Sequence, residues 1–150
     1  MIVFRITLAK YAERLFASGN PARWNSKDIK VIYTAGSRSL ACLENVVHRT
    51  AHGLQENFLT ILIEIPENLK VNVIDKRSLI QGWHDFSNMP YTQNIGDKWI
   101  ESASSAVLKV PSAIVPEEYN YVLNPAHIDF GKVKHLGAEP FEFDIRLKKS

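Results

Sequence analysis

Hydrophobic and polar residues alternate along several short segments of the chain, which is the pattern of β-strands. In the first of these, residues 2–8, Arg5 points away from the side that carries Ile2, Phe4 and Ile6. Each of the other segments ends at turn-forming residues or returns to a polar stretch. We therefore predict six strands, at residues 2–8, 30–34, 59–66, 71–75, 106–110 and in a last segment that carries Phe141, Phe143 and Ile145.

Apolar residues recur at helical spacing in the segments between these strands. The clearest helix is predicted from Arg38 to about Ala51, with Ser37 as its N-cap and Gly53 as its stop signal. Thr92 is the predicted cap of a second helix. Asn124-Pro125 has the form of an N-cap followed by proline at the first helical position. Because strands and helices do not alternate strictly, the pattern favours an α+β fold.

Composition narrows the class of protein. The chain has 150 residues, of which 45% are hydrophobic and 23% charged, so one globular domain over residues 1–150 is expected. The net charge of +2 is too small for a nucleic-acid-cutting protein, which needs a basic stripe. Cys42 is the single cysteine, which excludes an intrachain disulfide. With no targeting segment and no long apolar run, a soluble cytoplasmic protein without a membrane contact is expected.

Several common chemistries lack their motifs. His48 and His52 have helical i, i+4 spacing, but Arg49 stands where a zinc-binding His-Glu-x-x-His motif needs glutamate. The seven glycines form no phosphate-binding loop, and Ser37 lacks the second glycine of a nucleophile elbow. Cys42 lacks a nearby positive charge and is interpreted as a small core residue. A metal site, a nucleotide loop and acyl-enzyme chemistry are all disfavoured.

A scattered set of polar residues remains at the ends of predicted elements, where functional sites are commonly built. The set comprises Arg5, Arg23, Tyr33, Glu44 and Ser112. Taken one at a time, each also has a structural explanation. Arg5 and Glu44 could form an ion pair, Tyr33 could be a core ring and Ser112 a turn hydroxyl. The residues alone leave both interpretations open.

Taken in order, six segments of the chain resemble the RES domain, the toxin half of the Xre–RES bacterial toxin–antitoxin systems. The segments are the strand around residues 3–5 and residues 22–27, 31–35, 39–44, 110–113 and 120–127, and the resemblance runs from about residue 3 to residue 146. The family takes its name from an Arg, Glu and Ser signature. One departure is Ala22, because the family usually carries glycine immediately before the arginine.

The resemblance implies a fold similar to ADP-ribosyltransferases, with mixed or antiparallel sheets and flanking helices. It also implies an enzyme that depletes cellular NAD, with NAD as the substrate and no other cofactor. Matched to this sequence, the signature residues are Arg23, Glu44 and Ser112, with Arg5 and Tyr33 as further pocket residues.

The chemistry of NAD suits these side chains. The guanidinium groups of Arg5 and Arg23 fit the pyrophosphate oxygens, and the Tyr33 ring can stack on a base or on nicotinamide. Glu44 would hold the ribose hydroxyls and stabilise an oxocarbenium-like ribose as nicotinamide leaves. Ser112 would orient the substrate by a hydrogen bond. The pattern around Glu44 is helical, whereas ADP-ribosyltransferases are thought of as presenting this carboxylate from a strand.

The resemblance also implies a partner, a separately encoded Xre-type antitoxin. Trp24, Trp83 and Tyr91 are hypothesised to lie on exposed loops and to anchor it. A homodimer is compatible with the sequence, and no direct nucleic-acid contact is expected. Two alternatives to NAD degradation stay open: transfer of ADP-ribose to a protein target, and a non-catalytic binding module in which the charged residues only hold the fold together.

Overall fold

The chain folds into strands and helices over most of its length. A computed structural model describes residues 1–149. In this range the strands are β1 (Ile2–Leu8), β2 (Ile32–Ala35), β3 (Phe58–Glu64), β4 (Val71–Val73), β5 (Val107–Pro111), β6 (Tyr119–Leu123) and β7 (Lys134–Phe141). The α-helices are α1 (Arg38–His48) and α2 (Met89–Ser102), and short 3-10 turns join several elements.

All these strands form one mixed sheet in the order β4-β5-β6-β2-β1-β3-β7. Only β4 and β5 run parallel, and the other neighbours are antiparallel. The contact between β1 and β2 is the weakest in the middle of the sheet, because it consists of the single residue pair Phe4 and Ala35. By contrast, β1 and β3 pair along their whole length. The α+β class expected from the sequence is confirmed.

Helix α1 begins where the sequence predicts. The Ser37 side chain accepts a hydrogen bond from the Leu40 N–H, which satisfies one of the free donors of the first turn. Leu40 and Ala41 are buried against the sheet with Ile6 and Phe58. The opposite face of the helix stays in contact with solvent, so its amphipathic pattern is used as expected.

Helix α2 covers the other half of the same sheet. Trp24, Trp83 and Trp99 pack there against Leu108 and other apolar residues of β5 and β6. Gly96 allows the close approach, because a Cβ at this position would lie 1.7 Å from the Trp24 carbonyl oxygen. The loop that carries Arg23 is therefore clamped directly against α2.

Both predicted helix boundaries in these regions need correction. α1 ends at His48 rather than near Ala51, because Arg49 is extended and the Thr50 hydroxyl accepts from the Gly53 N–H in a separate turn. α2 begins at Met89, not after Thr92, because a proline is tolerated in the first turn of a helix. Thr92 is instead a buried residue inside the helix.

The C-terminal part of the chain also differs from the prediction. Asn124 does not begin an α-helix, because its side chain accepts from the Ala126 N–H and closes a turn. The predicted last strand is displaced, since β7 ends at Phe141. Phe143 is buried by edge-to-face contacts with aromatic rings rather than by strand pairing, while Ile145 is exposed. The alternation of apolar residues from Phe141 to Ile145 therefore does not mark a strand. Phe143 is apolar because its ring is buried.

Candidate active site

A partly buried hydrogen-bond cluster surrounds the carboxylate of Glu44 in α1. Its Oε1 accepts from the Ser112 hydroxyl at 3.0 Å and from the Asn120 side-chain amide at 2.7 Å. The Ser112 oxygen accepts in turn from the N–H groups of Ile114 and Val115, at 3.1 Å each, so its proton is directed to Glu44. Both donors bind the same oxygen. Among residues 1–149 no hydrogen bond is made to Oε2, which leaves it available as an acceptor.

The hairpin of β5 and β6 positions both donors. Pro111 ends β5, and the Ser112 N–H donates to the Glu118 carbonyl across the turn. Asn120 lies opposite Val110 on the neighbouring strand. Helix α1 thus lays Glu44 over the end of a hairpin whose turn and strand each supply one donor.

Asn120 was missing from the residues predicted from the sequence. The sequence does contain a pattern that could have identified it. Asn120 lies two positions before the buried Val122 and shares its strand face, where an apolar residue is expected. Its Oδ1 is also buried and lacks a hydrogen-bond partner within the described chain. Buried polar atoms without partners are rare and commonly mark functional positions.

Tyr33 brings a second polar group to this face of the sheet. Its hydroxyl donates to Asn25 Oδ1 at 2.5 Å and accepts from the Trp24 N–H at 3.0 Å. Burial raises the pKa of the Tyr33 phenol well above its ordinary value, so the hydroxyl stays protonated. The Tyr33 ring is therefore partly buried in the core, as one interpretation of the sequence expected. Its hydroxyl also connects the loop that carries Arg23 to the sheet.

Arg23 is held by carbonyl groups of a distant loop. Its guanidinium donates to the backbone oxygens of Trp83, His84 and Asp85, at 3.0–3.2 Å. Burial lowers the pKa of Arg23, and the negative charge of Glu44 acts in the opposite direction. Three of the five guanidinium N–H groups are thus used, and two remain.

The Arg23 backbone is fixed as well. Thr92 of α2 donates to the Arg23 carbonyl at 2.6 Å, and Gln93 donates to the Ala22 carbonyl at 3.0 Å. Ala22 is not among the non-glycine residues with positive φ, so its position does not require the glycine usual in the resembling family. Alanine in place of glycine at position 22 is therefore sterically compatible with the loop.

Arg5 lies at the place where β1 and β2 separate. Its Nη1 donates to the Tyr33 carbonyl at 2.9 Å, and so fills a position that the sheet ladder leaves open. It forms no ion pair with Glu44 in the described part of the chain. Two contacts therefore join residues proposed from the sequence: Ser112 donates to Glu44, and Arg5 donates to the backbone carbonyl of Tyr33.

The expectation of exposed aromatic anchors is wrong for two of the three residues. Trp24 is 2% exposed and Trp83 6%, because both pack under α2. Tyr91 lies within α2 and is half-buried, and its hydroxyl accepts from the Ile80 N–H. Phe86, in the same loop as Trp83, is the exposed aromatic there.

Other features bear on the chemistry less directly. Within residues 1–149 no group of three or more His, Cys, Asp and Glu side chains is arranged to hold a metal ion. Burial raises the pKa of Cys42, which opposes thiolate formation. None of the helices described above has both the length and the apolar character needed to cross a membrane.

Comparison with known proteins decides the family. The RES domain matches residues 2–144, which is nearly the whole chain. The chain belongs to the RES family. Two RES relatives named Toxin Res are similar over their full lengths: one from Photorhabdus laumondii is 39% identical over 100% of this chain and 99% of the relative, and one from Yersinia enterocolitica is 35% identical over 99% and 100%. The protein is thus a member of the RES toxins.

A third relative carries a more specific name. The Prs ADP-ribosylating toxin of a Sphingobium species is 37% identical over 83% of this chain and 79% of the relative. Among solved structures, the MbcT–MbcA toxin–antitoxin complex of M. tuberculosis contains a similar fold, with a TM-score of 0.72 over 94% of this chain and 84% of that chain. The sequence identity to it is 16%, so the similarity concerns the fold.

Proposed function

We propose that this RES protein is a toxin that degrades cellular NAD by cleaving the N-glycosidic bond to nicotinamide, with water or phosphate as the acceptor. The observation that carries the proposal is the Glu44 carboxylate. Ser112 and Asn120 hold one of its oxygens, and the other has no hydrogen-bond partner among residues 1–149 and is left as an acceptor. A carboxylate fixed in this way, with one oxygen uncommitted, matches what glycoside cleavage requires.

The proposed reaction begins with heterolysis. The bond between ribose C1′ and the nicotinamide ring nitrogen breaks, and its electron pair neutralises the positively charged ring. Glu44 stabilises the cationic ribose and binds its hydroxyl groups through Oε2. Water or phosphate then bonds to C1′, and in the case of water one proton is released.

The remaining side chains have supporting roles in this proposal. Ser112 and Asn120 keep the carboxylate from rotating, and such preorganised dipoles need no rearrangement as charge develops. The Tyr33 phenol is neutral and the residue is only partly buried, so its ring can form a stacking surface without adding charge. Arg23 keeps two N–H groups for an anionic substrate, while its other three hold the 83–85 loop.

ADP-ribose transfer to a protein is the second candidate. The name of the Sphingobium relative, ADP-ribosylating toxin, favours it. The same bond would break in both reactions, and only the acceptor at C1′ would differ. The Glu44 cluster serves either acceptor, so the products must distinguish them.

The proposal includes a partner. The similar fold in the MbcT–MbcA complex belongs to a toxin–antitoxin pair, which supports a separate antitoxin for this chain. An antitoxin of the Xre type, a homodimer and action in the cytoplasm remain parts of the proposal. Because NAD is an intracellular metabolite, the cytoplasm is where such a toxin would find its substrate.

The test is to measure NAD in a bacterial host shortly after induction of the chain without antitoxin. The wild type should collapse the NAD pool, whereas Glu44→Gln and an Arg23→Ala variant of confirmed stability should leave it intact. Mass spectrometry of the extract then identifies free ADP-ribose, its phosphate or a modified protein. An unchanged NAD pool with the wild type, at equal protein levels, would contradict NAD degradation.

A further inference from the structure

A cavity of about 270 Å³ lies beside the C-terminal half of β1. Arg5 and Thr7 of β1 form one wall, and Arg49, which follows α1, forms another. The aromatic residues Tyr11 and Phe16 complete the lining on the solvent side, with polar residues of the next loop. Glu44 and Ser112 are not part of this lining, so the cavity is distinct from the carboxylate cluster.

Two arginines face this cavity without a carboxylate partner. Within residues 1–149, neither Arg5 nor Arg49 forms an ion pair. Arg5 has one hydrogen bond, to the Tyr33 carbonyl. Arg49 donates from Nε to Asn45 Oδ1 at 3.0 Å and lies 4.9 Å over the Phe58 ring, which fixes its stem and leaves its terminal nitrogens for another acceptor.

The electrostatics of this pair favour an anion. Burial lowers the pKa of Arg5, and the neighbouring Arg49 charge lowers it further. Two like charges held close together in a partly buried cavity raise the free energy of the empty site. A bound anion with two or more negative oxygens would remove this penalty and would form bidentate, charge-assisted hydrogen bonds with both guanidinium groups.

The cavity also has an aromatic side. The Tyr11 and Phe16 rings stack with their centroids 5.8 Å apart and 11° between their planes, and both remain close to half exposed. Exposed, preassembled rings of this kind can stack on a nucleic-acid base. The volume is slightly below the range of pockets that enclose a whole drug-sized ligand. The cavity therefore suits a diphosphate and its attached sugar, with the base outside against the rings.

We propose that Arg5 and Arg49 together bind the diphosphate of the dinucleotide substrate, and that Phe16 and Tyr11 stack on its adenine. This inference rests on the proposed function and assigns Arg49 a binding role. Arg5 is the link to the reacting end, because its guanidinium also bonds the backbone of Tyr33. Arg23, with three N–H groups committed to carbonyls, then acts closer to Glu44.

The test measures binding and turnover separately on the purified full chain. Isothermal titration with ADP should give a dissociation constant at least about tenfold weaker for Arg49→Gln than for the wild type, the scale of one lost charged hydrogen bond. The control Arg146→Gln removes the same charge from an exposed ion pair with Asp144 and should change the dissociation constant for ADP less than twofold. For NAD, Arg49→Gln should raise KM and leave kcat within about threefold.

Further measurements distinguish a diphosphate ligand from free phosphate, and the proposed diphosphate site from the proposed NAD cleavage. Inorganic phosphate should bind much more weakly than ADP, and Phe16→Ala should weaken ADP binding but not phosphate binding. Glu44→Gln should bind ADP normally while losing turnover. If Arg49→Gln does not fold, Arg49→Lys keeps the charge and stem and should still weaken ADP binding, because the planar fork is lost.

Several results would overturn the inference. These are a wild type that does not bind ADP, equal ADP affinity in Arg49→Gln and Arg146→Gln, or phosphate binding as tight as that of ADP, which would indicate a site for free phosphate. A wild type that binds ADP through Arg49 but leaves NAD intact would contradict the proposed function and still support the diphosphate site.

Discussion

Replacing Glu44 by glutamine tests the proposed chemistry with little disturbance of the fold. Oε1 already accepts both hydrogen bonds, at 2.7 and 3.0 Å, and the amide oxygen of glutamine can take over this position. The amide nitrogen then occupies the place of Oε2, which has no protein partner in the described structure. The substitution therefore removes the negative charge and retains the two internal contacts.

The expected loss follows from that charge. Removing one preorganised group that stabilises transition-state charge typically costs about 2.7–4 kcal/mol, which corresponds to a roughly 100- to 1,000-fold decrease in kcat. The assay is release of nicotinamide from NAD by the purified protein, followed by chromatography. Because no buried hydrogen bond is lost, the melting temperature should stay within a few degrees of the wild type.

Glu139→Gln is the matched control. Glu139 lies in β7 and forms a surface ion pair with Arg38, so the same charge is removed at a site without substrate. Surface pairs contribute little to stability, and turnover should be unchanged. A Glu44→Gln protein that is folded and turns over NAD within about tenfold of the wild type would refute the role assigned to this carboxylate.

Three other predictions concern the surroundings of the site. Asn120→Ala should lower kcat about tenfold and leave KM nearly unchanged, because the substitution frees the Glu44 carboxylate to rotate. The far-UV circular dichroism spectrum should stay similar to that of the wild type, and an unchanged kcat would contradict a positioning role for Asn120. Gly96→Ala should lower the free energy of unfolding by about 1–3 kcal/mol in urea titrations, since its Cβ would collide with the Trp24 backbone, and a stability equal to the wild type would contradict the clamp. Tyr33 has a raised pKa in the folded state, so its contribution to stability is complete below about pH 10 and is lost as the pH rises above the ordinary tyrosine value. Thermal melts between pH 8 and 11 should therefore decline more steeply for the wild type than for Tyr33→Phe, and parallel declines would exclude this contribution.

Local signals in the sequence predicted much of the framework. The strand at β1, the buried strand at β3 and the Ser37 cap depend on residues that are close together in the chain, and the structure contains all three. The start of α2 was misjudged because Thr92 resembles a cap. Its hydroxyl instead bonds the Arg23 carbonyl, 69 residues away, which no local pattern reveals.

Most residues of the site could be predicted from the family resemblance, but the hydrogen bonds that connect them could not. Arg23, Glu44 and Ser112 were named from the family signature, and the structure joins Ser112 to Glu44 by a hydrogen bond. Asn120 was missed because its partner Glu44 is 76 residues distant, and a polar residue in a strand ordinarily faces solvent. Trp24 and Trp83 were misplaced for a related reason, since burial under α2 depends on how distant segments pack.

The separation along the chain of the groups around Glu44 has a consequence for synthesis of the protein. Ser112 lies 68 residues and Asn120 76 residues downstream of the carboxylate. While a ribosome is translating the chain, α1 emerges long before the β5–β6 hairpin that supplies both donors. The carboxylate cluster can therefore assemble only after this hairpin has been synthesised. Under the proposed function, a nascent chain without the hairpin lacks the fixed carboxylate and should not cleave NAD.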